Sequence, residues 1–154
     1  MAFPWKKVLC PIDFSEPARA ALTAAVEIAR QFDAELVLFH AYQLPGYTLP
    51  EGSVVASPKM LQELAVQAEN HLVEWKRLAE SLGAPRVKAE KGIGEPALEI
   101  VDLAREQGFD LVVVGTHGRT GLRHALLGSV AERVVRRVGC PVLSIHPEGK
   151  NRAN

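Results

Sequence analysis

The densest concentration of chemistry-bearing residues is one string, Gly115-Thr116-His117-Gly118-Arg119-Thr120-Gly121-Leu122-Arg123-His124-Ala125-Leu126-Leu127-Gly128-Ser129. Its pattern is G-x-x-G, nine residues, then G-S. Glycine lets a backbone bend sharply and approach a ligand closely. Gly128 and Ser129 open a helical pattern, so they place amide donors at a helix N-terminus, where unsatisfied N–H groups and the helix dipole favour an anion. His117, Arg119, Arg123 and His124 add positive or protonatable groups. A phosphate-bearing ligand is the expectation. A solvated loop with surface arginines would share this composition, but not the coincidence of a glycine pair at a strand end with G-S at a helix start.

Other motifs are weaker. Gly92-Ile93-Gly94-Glu95-Pro96-Ala97, with Asp110 downstream, matches the G-x-G-x-x-[GA] dinucleotide fingerprint. Its preceding strand is polar and Pro96 is unusual inside such a loop, so a tight turn explains it better. No G-x-x-x-x-G-K-[ST] occurs, and fast phosphoryl transfer is not indicated. G-x-S-x-G, H-E-x-x-H and clustered carboxylate pairs are absent as well, which removes the usual hydrolase arguments. His40, His117 and His124 show no metal-ligand spacing. An Mg2+ or Mn2+ ion would be held mainly by the phosphates of a nucleotide. Cys10 and Cys140 lie in apolar runs and read as buried free thiols.

Stepping outward, Lys7 to Ile12 reads as a strand ending at Asp13, and Ser15-Glu16-Pro17 reads as the cap and first turn of a helix reaching Gln31. Glu35 to Tyr42 is a second strand of the continuous apolar kind that a doubly covered sheet requires. Residues 43–57 show no clear period and are expected to form a flexible flap. Ser57-Pro58 opens a second helix with the stripe Leu61, Leu64, Ala65, Ala68, Leu72, Trp75, Ala79 and Leu82, stopped by Gly83. Val87, Ala89 and Lys91 suit a polar edge strand. Glu95-Pro96 begins a third helix with Ala97, Ile100, Val101 and Ala104 inward. Phe109 to Val114, the most apolar run, is expected to be a central strand. Ser129 to Val138 forms a fourth helix with the stripe Val130, Val134, Val135 and Val138, capped by Gly139, and Val142 to Ile145 closes the chain as an edge strand.

Strict alternation of strand and helix specifies an α/β fold: a doubly wound, Rossmann-like, five-stranded parallel sheet with helices on both faces. With strand order 3-2-1-4-5, the reversal point falls between Asp13 and Gly115, beyond the carboxyl ends of the strands, where such sheets collect ligands. The 154 residues fit a single domain with its core in 6–146 and a disordered tail at 147–154. Lys plus Arg total 18 and Asp plus Glu total 18, so no overall field attracts nucleic acid or an anionic membrane. No window approaches the roughly 20 apolar residues of a spanning helix. The expected location is cytoplasmic.

The G-x-x-G-(nine residues)-G-[ST] string resembles the ATP-binding signature of the nucleotide-binding branch of universal stress proteins. Lys7-Val-Leu-Cys-Pro-Ile-Asp13-Phe-Ser15, Gly94-Glu-Pro-Ala97 and Cys140-Pro-Val-Leu-Ser-Ile145 resemble that family's first strand, its turn before the third helix, and its closing strand. The resemblance covers about Lys6 to His146 and implies an adenine nucleotide alpha hydrolase-like fold. By this resemblance Pro11, Ile12 and Asp13 would face the adenosine and Ala41 would flank the base. Val114, Gly115, His117 and Gly118 would lie against ribose and phosphates. Gly128, Ser129, Val130 and Ala131 would hold the phosphate tail, with Arg119 adding charge. The implied ligand is ATP, or ADP or AMP. The implied role is a stress-response regulator that switches with its nucleotide and hydrolyses it slowly or not at all. The alternatives are a weak ATPase or self-phosphorylating enzyme, in which Ser129 or Thr116 accepts phosphate and His117 assists, and a small-ligand or protein-interaction module without ATP. A homodimer through strand 141–146 is also implied.

Overall fold

The computed structural model describes residues 4–44, 47–49, 52–54, 56–116 and 127–147. Apolar runs become strands and amphipathic stretches become helices in the order β1 Lys7–Pro11, α1 Glu16–Phe32, β2 Glu35–Tyr42, β3 Tyr47–Leu49, β4 Gly52–Val54, α2 Pro58–Ser81, β5 Arg86–Ile93, α3 Pro96–Glu106, β6 Leu111–Gly115, α4 Ser129–Arg137 and β7 Val142–Ile145. The main sheet has five parallel strands in the order β5-β2-β1-β6-β7. Counting its strands along the chain, this is the expected 3-2-1-4-5. The reversal lies between β1 and β6, so their carboxyl ends diverge into a crevice.

Each strand sends alternate side chains to opposite faces, and both faces are covered. Val8, Cys10, Leu36, Leu38, Leu111 and Val113 meet α1 and α2 through residues such as Leu22, Val26, Leu72 and Trp75. Leu9, Val37, Phe39, Val112 and Val114 meet α3 and α4 through Ala97, Ile100, Ala104, Ala131 and Val134. Fully burying such a side chain contributes about 1.5–3 kcal/mol, so the two layers jointly fix the sheet on which the crevice is built. The alanine face of α1 (Ala18, Ala21, Ala25, Ala29) lets that helix sit close to the strands.

Four expectations are corrected. First, residues 43–57 are not without structure: β3 and β4 pair antiparallel, with Tyr47 opposite Val54 and Leu49 opposite Gly52. Aromatic and β-branched residues flank a Pro-Glu pair there, a short-strand signal hidden by the segment's prolines and glycines. Second, the middle of the sheet is β1; β6 is interior, between β1 and β7. Third, Val135 is 45% exposed, and the inward face of α4 is Ala131 and Val134 with Val130 and Val138 half-buried. Fourth, α4 ends at Val138 in an extended conformation, not on a left-handed Gly139. The two cysteines are free, Cys10 buried and Cys140 only half-buried. The tail beyond Pro147 lies outside the described residues.

Candidate functional site

Where β1, β2 and β6 end, the chain encloses a cleft of about 270 Å3. Pro11, Ile12 and Asp13 enter it from β1 and the turn after it, Phe39 and Ala41 from β2, Val114, Gly115 and Thr116 from β6, and Gly128, Ser129, Val130 and Ala131 from the start of α4. Ala18, Pro96 and Ile100 complete the wall. Ten of the thirteen residues singled out from the sequence thus share one cavity; His117, Gly118 and Arg119 lie outside the described residues. Phe39, Ala18, Pro96, Ile100 and Thr116 were not singled out as site residues. Only the inward period of their elements, and for Thr116 its place inside the glycine string, hinted at them.

The turn at Asp13 is tightly organised. Oδ1 of Asp13 accepts hydrogen bonds from the Ser15 amide at 3.1 Å and from the Ser15 hydroxyl. Ser15 in turn caps α1, accepting from the Ala18 amide at 3.3 Å. Between them Phe14 adopts φ 63°, a left-handed conformation disfavoured for a bulky residue. Its ring packs 4.5 Å from His40 and 5.6 Å from Trp75. His40 donates from Nδ1 to the Ile12 carbonyl at 2.8 Å, which fixes the floor of the turn from β2.

At the opposite wall, Gly115 is required by packing: a Cβ there would lie 2.7 Å from the Pro17 carbonyl oxygen and 2.8 Å from its carbon. That approach draws the end of β6 onto the first turn of α1. Thr116 then donates its N–H to the Ile145 carbonyl at 2.9 Å, and its own carbonyl accepts from the Gly128 amide. This last contact corrects one expectation, since the Gly128 N–H is engaged and is not offered to a ligand. The donors left by helix geometry at the start of α4 are the amides of Ser129, Val130 and Ala131.

A comparison of helix starts sharpens this. Ser15 caps α1, Ser57 caps α2, and the Glu95 carboxylate caps α3 by accepting from Ala97 and Leu98 at 3.4 and 3.0 Å. Helix α4 begins at Gly128 with no side-chain cap, and it is the helix whose first turn lines the cleft. Asp13 is the only charged side chain among the described residues lining the cavity, so attraction for an anion comes there from backbone N–H groups and the helix dipole.

The dinucleotide alternative finds no support. Gly92 and Ile93 finish the edge strand β5, and Glu95 occupies the α3 amides that a pyrophosphate would need. Asp110 lies at the other end of the sheet, where its carboxylate accepts from the Lys6 and Lys7 amides at 2.8 and 2.9 Å. Among the described residues no group of three His, Cys, Asp or Glu is arranged to hold a metal ion. No described helix is long and apolar enough to cross a membrane.

Comparison with known proteins places this geometry. Residues 4–146 match the universal stress protein family. The chain belongs to that family. A universal stress protein of Methanocaldococcus jannaschii is 39% identical over 143 residues, covering 92% of this chain and 82% of its own length. The structure of the universal stress protein UspA from Lactobacillus plantarum superposes with a TM-score of 0.79 at 28% identity, covering 92% of this chain and 97% of that one. A universal stress protein solved in complex with cAMP superposes with a TM-score of 0.69 at 28% identity, covering 94% and 98%.

Proposed function

We propose that this universal stress protein binds an adenine nucleotide in the cleft between β1 and β6 and acts as a nucleotide-dependent regulator, with slow hydrolysis or none. The observation that carries the reading is the uncapped first turn of α4 facing the same cavity as Asp13. The apolar wall of Ile12, Phe39, Ala41 and Ile100 suits a planar base, and the Ser129 to Ala131 amides suit a phosphate. A relative solved with cAMP supports a nucleotide in this fold.

ATP is the proposed ligand, with Arg119 adding charge to the tail and an Mg2+ or Mn2+ ion held mainly by phosphate oxygens. The proposed setting is cytoplasmic. The proposed assembly is a homodimer through residues 141–146, since β7 is an edge strand with Leu143 38% exposed. The test is native purification, release and identification of any bound small molecule by mass spectrometry, then turnover with ATP and magnesium. Bound ATP or ADP with turnover slower than about one per hour supports the reading, far below the usual enzymatic range of about 1–1000 per second. No binding of any adenine nucleotide at millimolar concentration overturns it.

A further inference from the structure

Thr116 is the one polar residue that is buried among the described residues, at 5% exposure, and it lines the cleft. Its backbone is anchored at both polar atoms, through Ile145 and Gly128, so the side chain has a fixed origin. Oγ1 lies 3.0 Å from Nδ1 of His146, at the far end of β7. A threonine hydroxyl can donate once and accept twice, and its proton rotates to suit its neighbours. The imidazole therefore determines which way that proton points.

We infer that His146 is a positioning residue for the nucleotide cleft: it donates from Nδ1–H to Thr116 Oγ1, so that the Thr116 hydroxyl gives its own proton to the phosphate of the ligand. The inference rests on the nucleotide reading above and assigns that site one further donor. Thr116 stands beside the start of α4, through its carbonyl's contact with the Gly128 amide, so the effect belongs to the phosphate end and not to the base. His146 itself is exposed and follows the last strand, so removing its ring leaves the core intact.

The test is calorimetric titration of the full chain with ATP, AMP and adenosine for the parent, His146→Ala, His146→Asn, Thr116→Val and the double variant His146→Ala with Thr116→Val. His146→Ala is expected to weaken ATP and AMP about three- to tenfold, the worth of one hydrogen bond, and to leave adenosine within about twofold. His146→Asn, whose amide can reach the place of Nδ1, restores the affinity. In the Thr116→Val background, His146→Ala has no further effect. Equal losses for adenosine and ATP, an undiminished effect without the Thr116 hydroxyl, or no loss at all would overturn the assignment. Should Thr116→Val not fold, Thr116→Ser keeps the hydroxyl and must keep the full His146 effect. Failure of the parent protein to bind any of the three ligands would sink the nucleotide reading and this inference with it.

Discussion

Replacing Ser129 by proline removes one phosphate-facing amide without removing the helix. Proline is favoured at the first helical position because its missing N–H has no intrahelical partner and its fixed φ suits the turn. This chain already starts α2 with Pro58 and α3 with Pro96. Gly128 precedes the site at φ -69° and ψ 163°, an extended conformation that a following proline accepts. The Gly128 carbonyl keeps its bond to the Glu132 amide at 2.9 Å, so the first helical turn survives. A hydrogen bond to a charged group contributes about 1.5–3 kcal/mol, and each 1.4 kcal/mol is a factor of ten, so ATP affinity should fall roughly 10- to 150-fold. Adenosine affinity should stay within about twofold. Ser129→Ala, which deletes the hydroxyl alone, separates the side chain from the amide, and helicity by circular dichroism verifies folding. A folded Ser129→Pro protein that binds ATP as tightly as the parent would refute the idea that α4 grips the phosphates through its backbone.

Three further outcomes follow from the packing. Gly115→Ala forces a Cβ onto Pro17 backbone that cannot yield, and should lower unfolding stability by about 1–3 kcal/mol in urea titrations; a change below about 0.5 would contradict the close approach. Ala41→Phe fills the base end of the cleft and should weaken adenosine and ATP alike by at least about tenfold with the fold retained, because one wall residue excludes the base; affinity unchanged for both ligands would misplace the base. Burial raises the Cys10 thiol from 9.0 to about 12. A raised thiol leaves stability unaffected below the unfolded value and lowers it as pH climbs from about 9 towards 12, by roughly 1.4 kcal/mol per pH unit at most. Cys10→Ala should remove that part of the alkaline slope in denaturant titrations, and an identical slope in the variant would contradict the burial argument.

Much of the fold was legible because the interior strands β1, β2 and β6 are short unbroken apolar runs, and each helix start carried a recognisable Ser or Pro. The candidate site was legible where glycine spacing and strand ends coincide. Sequence reasoning failed where a residue's role depends on a distant partner. Gly115 read as a place for ligand approach, yet it also answers the crowding of Pro17, which no local pattern reveals. The Gly128 amide read as available, and it is spent on Thr116, twelve positions earlier in the chain. Glu95 read as part of a turn, but its carboxylate closes the α3 terminus and so separates a capped helix start from the uncapped one at the cleft. The hairpin of β3 and β4 was missed because its signals are three residues long on each side.

The most direct test is a titration of isotopically labelled protein with ATP, followed by the backbone amide signals. The account predicts saturable shifts at Ser129, Val130 and Ala131, accompanied by shifts at Asp13 and Ala41 across the cleft. Unmoved α4 amides at saturating ATP, or shifts confined to another part of the surface, would contradict it.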